Sequence, residues 1–142
     1  MSRISRDVVV QLLRDLKNDD WTIRQAAVTA ISRPSDPALL QDLLDQLARE
    51  KWYVREAAAA GIRAIRDPVA GPALIHAMSS DDDILRNAAA FALGTMRYDK
   101  AERVLTRAVE DPDCRVRKTA RAALELIREG HERGPAGGGT AA

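Results

Sequence analysis

The sequence is short of aromatic side chains. Trp21, Trp52, Tyr53, Phe91 and Tyr98 make up 4% of its 142 residues. A single thick core normally draws on aromatic volume. A hydrophobic content of 46% carried by Ala, Leu, Val and Ile therefore points to thin layers of closely packed helices. Cysteine is almost missing as well. Cys114 stands alone, which excludes an internal disulfide and leads us to expect a reducing, cytoplasmic setting. With His76 and His131 as the two histidines, there are too few Cys and His residues for a zinc site built from those types alone. Neither sign of charge dominates: 22 basic against 21 acidic residues leave a net charge of +1. That excludes a strongly basic nucleic-acid binder and an acidic solvating chain, and leaves room for local patches only. No run approaches the ~18 apolar residues of a membrane span. Met1 to Asp7 is charged, and Val8, Val9 and Val10 give way at once to Gln11 and Arg14, so neither a signal peptide nor a membrane partner is expected.

What the chain does have is internal repetition. Ile23-Arg24, Val54-Arg55, Leu85-Arg86 and Val116-Arg117 recur at a spacing of 31 residues, three times, without insertion. The same register holds Ala27, Ala58, Ala89 and Ala120, then Ile31, Ile62, Leu93 and Leu124. Upstream it holds Leu12, Leu43, Leu74 and Leu105, and also Leu16, Leu47, Met78 and Val109. Each unit reads as two helices, A and B. Helix A of the second unit is expected from Pro37 to about Arg49, with Asp36 as N-cap and Pro37 at the first helical position, where a missing N–H costs nothing. Helix B of the first unit is expected from Asp20 or Trp21 to about Ser32, with Ile23, Ala27, Ala30 and Ile31 as its buried stripe. Asp82 and Asp113 occupy the capping register of Asp20, and Lys51 breaks it. Gly61 and Gly94 lie near the ends of B helices, where glycine is tolerable. Gly71-Pro72 should make the third A helix start late or bend.

The pattern Asp-x-x-Val-Arg-x-x-Ala-x-x-Ala-Leu resembles the short HEAT-like repeats of the phycobilisome-lyase type. It stands here as Asp20…Ile23-Arg24…Ala27…Ala30-Ile31 and in three later copies, over residues 6 to 129. The resemblance implies an all-α, right-handed, armadillo-like α-solenoid of four two-helix repeats over residues 1–133. The units would lie at about 5–35, 36–66, 67–97 and 98–129, with a disordered Gly-rich tail at 134–142. It also implies that the B helices line the concave surface.

The repeated Arg24, Arg55, Arg86 and Arg117 suit an inter-repeat ion-pair ladder, with Asp36, Asp67 and Asp99 as the expected partners. Small residues beside the buried stripe (Ala26, Ala57 and Ala88 on one flank, Val28, Ala59 and Ala90 on the other) fit side-by-side stacking of B helices. One B-helix face remains, and its chemistry does not repeat. It carries Trp21, Thr22, Gln25 and Thr29, then Trp52, Tyr53 and Glu56, then Ile84, Asn87 and Phe91, and finally Arg115 and Lys118. Four of the five aromatics fall here, as in a protein-binding hot spot. Two uses remain open for Trp21 and Trp52: filling gaps between units, or standing on the surface.

Catalytic readings find little support. His76 has no second histidine near it in sequence, His131-Glu132 has no repeated counterpart, and there is no Gly-rich phosphate loop. Cys114 beside Arg115 is the one candidate nucleophile and reads as an incidental thiol. No cofactor or metal is expected. Glu56 and Asp83 lie mid-groove and would repel phosphate, so nucleic-acid binding through Arg115, Lys118 and Arg121 is a remote alternative. A bilin-lyase-like subunit or a chaperone is the other alternative. Glu102 and Thr106 make the last unit a polar cap, whereas Val10 leaves the N-terminal helix less well capped and open to self-association. The expected function is non-catalytic recognition of a protein partner by an adaptor, scaffold or assembly factor.

Overall fold

A computed structural model describes residues 3–34 and 36–133. Among them are eight α-helices and no strand: α1 (Arg3–Leu16), α2 (Trp21–Ser32), α3 (Pro37–Leu47), α4 (Trp52–Arg63), α5 (Gly71–Ala77), α6 (Asp83–Thr95), α7 (Glu102–Ala108) and α8 (Cys114–Arg133). They form an all-α solenoid of two layers. The B helices α2, α4, α6 and α8 stack in chain order, and α1, α3 and α5 stack beside them. The expected tail at 134–142 lies outside the described residues.

Helix boundaries follow local chemistry. Asp20, Asp36, Asp82 and Asp113 each accept a hydrogen bond from a backbone N–H one or two residues into the helix that follows, at 2.8–3.0 Å. Lys51, in the same register, makes no side-chain cap. The third A helix does start late: Pro68–Ala70 forms a 3-10 turn, capped by Asp67, before α5 begins at Gly71. A second 3-10 turn, Asp99–Ala101, precedes α7. The stop before it is a Schellman motif. Arg97 adopts φ 52°, its N–H bonds the Gly94 carbonyl, and the Tyr98 N–H bonds the Leu93 carbonyl.

The core runs between the layers. Leu43, Leu74 and Leu105 from A helices meet Ala58, Ala89, Ala120, Ile62 and Leu93 from B helices, all at most 1% exposed. Close helix approach rests on glycine. A Cβ on Gly61 would lie 2.5 Å from the Val28 carbonyl oxygen, and one on Gly94 would lie 2.6 Å from Ala123 Cα. Their position near helix ends is therefore secondary, because each glycine admits a neighbouring B helix. Tyr98, the one aromatic outside the free face, lays its ring where a Gly71 side chain would be.

Two expectations fail. Ile23 and Ala30 were assigned to the buried stripe of α2, yet Ile23 is 37% exposed and Ala30 is exposed. Their counterparts Val54, Leu85 and Val116, and Gly61, Ala92 and Ala123, are buried, because each of those has a preceding repeat to cover it. The ladder also has other partners than expected. Each of the four arginines donates Nη1 to carbonyls of the A–B turn just before its own helix: Asn18 and Asp19 for Arg24, Glu50 for Arg55, Ser80 for Arg86, Asp111 and Pro112 for Arg117. The acids come from the next repeat's A–B turn. Arg55 Nε lies 2.8 Å from Asp82, and Arg86 donates twice to Asp111, at 2.9 and 3.0 Å. Asp36 and Asp67 cap helical turns instead, and Asp99 pairs with His131. Hydrogen bonding to Asp111 raises the Arg86 pKa. Burial opposes ionisation of Asp111, but the Arg86 guanidinium holds its carboxyl below the usual range.

Candidate protein-recognition surface

The solenoid sets one register of each B helix outward, and the exposure along it follows the sequence. Trp21 and Trp52 occupy the first position of α2 and α4, one period apart, and are 65% and 64% exposed. Neither fills a gap between units, which closes the question their position left open. Tyr53 follows at 49% exposure and meets Trp52 edge-on, with ring centroids 6.0 Å apart and planes at 88°. Such an edge-to-face contact is a favoured aromatic geometry, and it leaves about half of Tyr53 and more of Trp52 to solvent. Phe91, on α6, is 41% exposed. Thr22, Gln25, Thr29, Glu56 and Lys118 are exposed around them.

Three of the expected residues are engaged within the fold. Ile84 is half-buried and packs on the core. Asn87 accepts a 2.6 Å hydrogen bond from Thr119 Oγ1, which ties α6 to α8. Arg115 is exposed but bonded: Nη2 lies 2.5 Å from Asp83 and Nε 3.5 Å from Asp113. Hydrogen bonding to Asp113 raises its pKa. At the basic end of the face Arg115 is thus paired locally, whereas Lys118 and Arg121 are exposed and form no ion pair among the described residues.

Beside Phe91 a cleft of about 250 Å³ opens between α6 and α8, floored by Gly94, Ala122, Ala123 and Leu126 and rimmed by Lys118 and Thr119. It exists because Gly94 and Ala123 bring the two helices together while Phe91 and Leu126 stand clear. An apolar side chain would fit there with Lys118 at the mouth.

Sequence reasoning missed a second cleft, of about 450 Å³, lined by Asp45, Arg55, His76, Ser79, Asp81 and Asp82. In sequence His76 stands apart from the other histidine. Its Nε2 lies 3.7 Å from Asp45 Oδ1 of the preceding repeat. The two residues are 31 apart, so the period itself held the signal. No group of three or more His, Cys, Asp or Glu side chains among the described residues is placed to hold a metal ion. No described helix is long and apolar enough to cross a membrane.

No curated protein matches the sequence. The model of a family described as HEAT repeats matches residues 6–94 and 71–135. Together these spans cover most of the chain and both helical layers, and the chain belongs to the HEAT-repeat family.

Proposed function

We propose that this protein is a non-catalytic adaptor, scaffold or assembly factor that binds a protein partner on the outward, concave face of its B helices. The observation that carries this reading is the exposure of Trp21, Trp52, Tyr53 and Phe91 together on one layer, while the repeated columns around them are taken up by packing from the second repeat onward. Large aromatic side chains held rigidly and left wet are the usual anchors of an interface. HEAT repeats are commonly protein-interaction modules, which agrees. The 31-residue spacing supports assignment to the short phycobilisome-lyase repeat type, and the single Cys114 supports a reducing cytoplasm. The partner presents apolar side chains to Trp52, Tyr53 and the cleft at Phe91, with an acidic group within reach of Lys118.

The test is capture from lysate with the intact chain and with a triple variant, Trp52→Ser, Tyr53→Ser and Phe91→Ser. All three side chains are exposed, so helical content should stay unchanged by circular dichroism. Hot-spot truncation typically costs ~2 kcal/mol or more per residue, so the captured partner should disappear. Retention of every partner by the helical triple variant overturns the reading.

A further inference from the structure

The first repeat leaves uncovered the surface on which every later repeat is stacked. The residue positions that touch the preceding B helix are identified by close contacts. Gly61 lies against Val28 and Ile31 of α2, and Ala123 lies against Gly94 of α6. Gly61 and Ala123 belong to one column, and Ala30 is its first member. Ala30 is exposed where Gly61, Ala92 and Ala123 are buried. Ile23 repeats the finding, at 37% exposure against 0% for Val54, 1% for Leu85 and 0% for Val116. Ala26 is exposed where Ala88 is 0% exposed, and Val8 is 39% exposed where Ala70 and Ala101 are 0% exposed. The open face of α2 with Val8 is therefore an inter-repeat interface with one side missing.

The opposite end of the stack cannot supply that side. The positions that touch a following B helix are those of Val28 and Gly94. In the last repeat they hold Arg121 and Glu125, both exposed. Stacking that end on Ala30 would take Arg121 and Glu125, opposite charges one helical turn apart, out of water, and the desolvation of a buried ion pair can exceed what its attraction returns. Two open N-terminal faces have no such obstacle. Arg24 is the single charged residue of α2, and its guanidinium is held by the Asn18 and Asp19 carbonyls. α2 carries no second charge that would have to be buried in such a contact, and Ala26 and Ala30 allow close approach of the backbones.

We propose that the occupant of this face is a second copy of the chain, docked head to head about a two-fold axis so that α2 packs on α2 of its partner. The B-helix stack then runs unbroken through the dimer, and the face of α8 that carries Arg121 and Glu125 points away from the axis in both copies. Such an isologous contact is self-limiting, whereas a head-to-tail contact would polymerise. This arrangement is independent of partner recognition on the B-helix face.

Sedimentation equilibrium of the full chain over a range of concentrations tests it. The expected species has twice the 15.5 kDa chain mass. Ala30→Glu should weaken dimerisation by more than about 100-fold, because it buries an unpaired carboxylate from each copy in the contact. Ala30 is exposed in the single chain, so helicity should not change, and Ile23→Lys should act in the same way. Arg121→Glu should leave the dimer intact. A chain that stays at its single mass up to about 1 mM, too weak an association to matter, overturns the proposal. So does a dimer that survives Ala30→Glu, or one that Arg121→Glu dissociates.

Discussion

Arg24, Arg55, Arg86 and Arg117 share one task and divide on a second. All four fasten the turn before their own helix by binding its carbonyls, which satisfies acceptors left over at the end of helix A. Only Arg55 and Arg86 also reach an acid of the next repeat. The column was legible in the sequence, but its partners were not. A period states which residues are equivalent, not how far one repeat is displaced along the next. That displacement, set by side-chain packing, brings the A–B turn rather than the Asp-Pro linker to the guanidinium. For Arg24 the position equivalent to Asp82 is Lys51, which also fails to cap α4. Lys51→Asp should repair both faults, supplying a cap for α4 and an acid opposite Arg24. We expect a gain of about 1–2 kcal/mol, most of it from the cap. Urea unfolding would register it as a higher midpoint at unchanged slope. A midpoint that stays put or falls would show that Arg24 is not poised as Arg55 is.

Helices were the most readable level. The Asp caps, Pro37 at the first helical position and the late start of α5 all follow from rules acting within a few residues, and the structure carries each of them out. Glycine was less readable, because its reason lies in another helix. Gly94 could pass for a residue tolerated near a helix end, yet the absent side chain is what lets α6 and α8 touch. Two effects oppose each other when Gly94 becomes Ala. Helix propensity favours Ala by about 1 kcal/mol. The new methyl would lie 2.6 Å from both Cα and Cβ of Ala123, and overpacking of that kind typically costs about 1–3 kcal/mol. Backbone rather than a flexible side chain stands in the way, so the clash should win. Gly94→Ala should destabilise the protein by up to about 2 kcal/mol, which thermal and urea unfolding would register. A stabilised variant would mean that the two helices separate freely.

At the scale of the whole molecule, the repeats are alike in sequence and unlike in completeness. The recognition face was legible as a cluster of aromatics because exposed columns escape the packing constraint and lose their repeat. Which of its members stay free was not legible, since Arg115, Asn87 and Ile84 are claimed by neighbours that no column reveals. A solenoid's stability is close to a sum of repeat and interface terms, and those terms rise along this chain. The α1–α2 pair has an uncovered Ile23, an exposed Ala26 and an arginine without an acid. The α5–α6 pair has Ala88, Ala89, Ala90 and Ala92 at 0% exposure and the doubly bonded Arg86–Asp111 pair, and it is held on both sides by α4 and α8. Opening should therefore start at the N-terminal repeat. Amide exchange of the dilute, undimerised chain should show α2 protected about 10–100-fold less than α6, with α4 between them, as expected where local opening precedes global unfolding. Raising the concentration into the dimer range should then slow exchange in α2 more than in any other helix. Uniform protection across the four B helices would mean that the inter-repeat interfaces are strong enough to make the molecule unfold as one unit, with its open end no weaker than its middle.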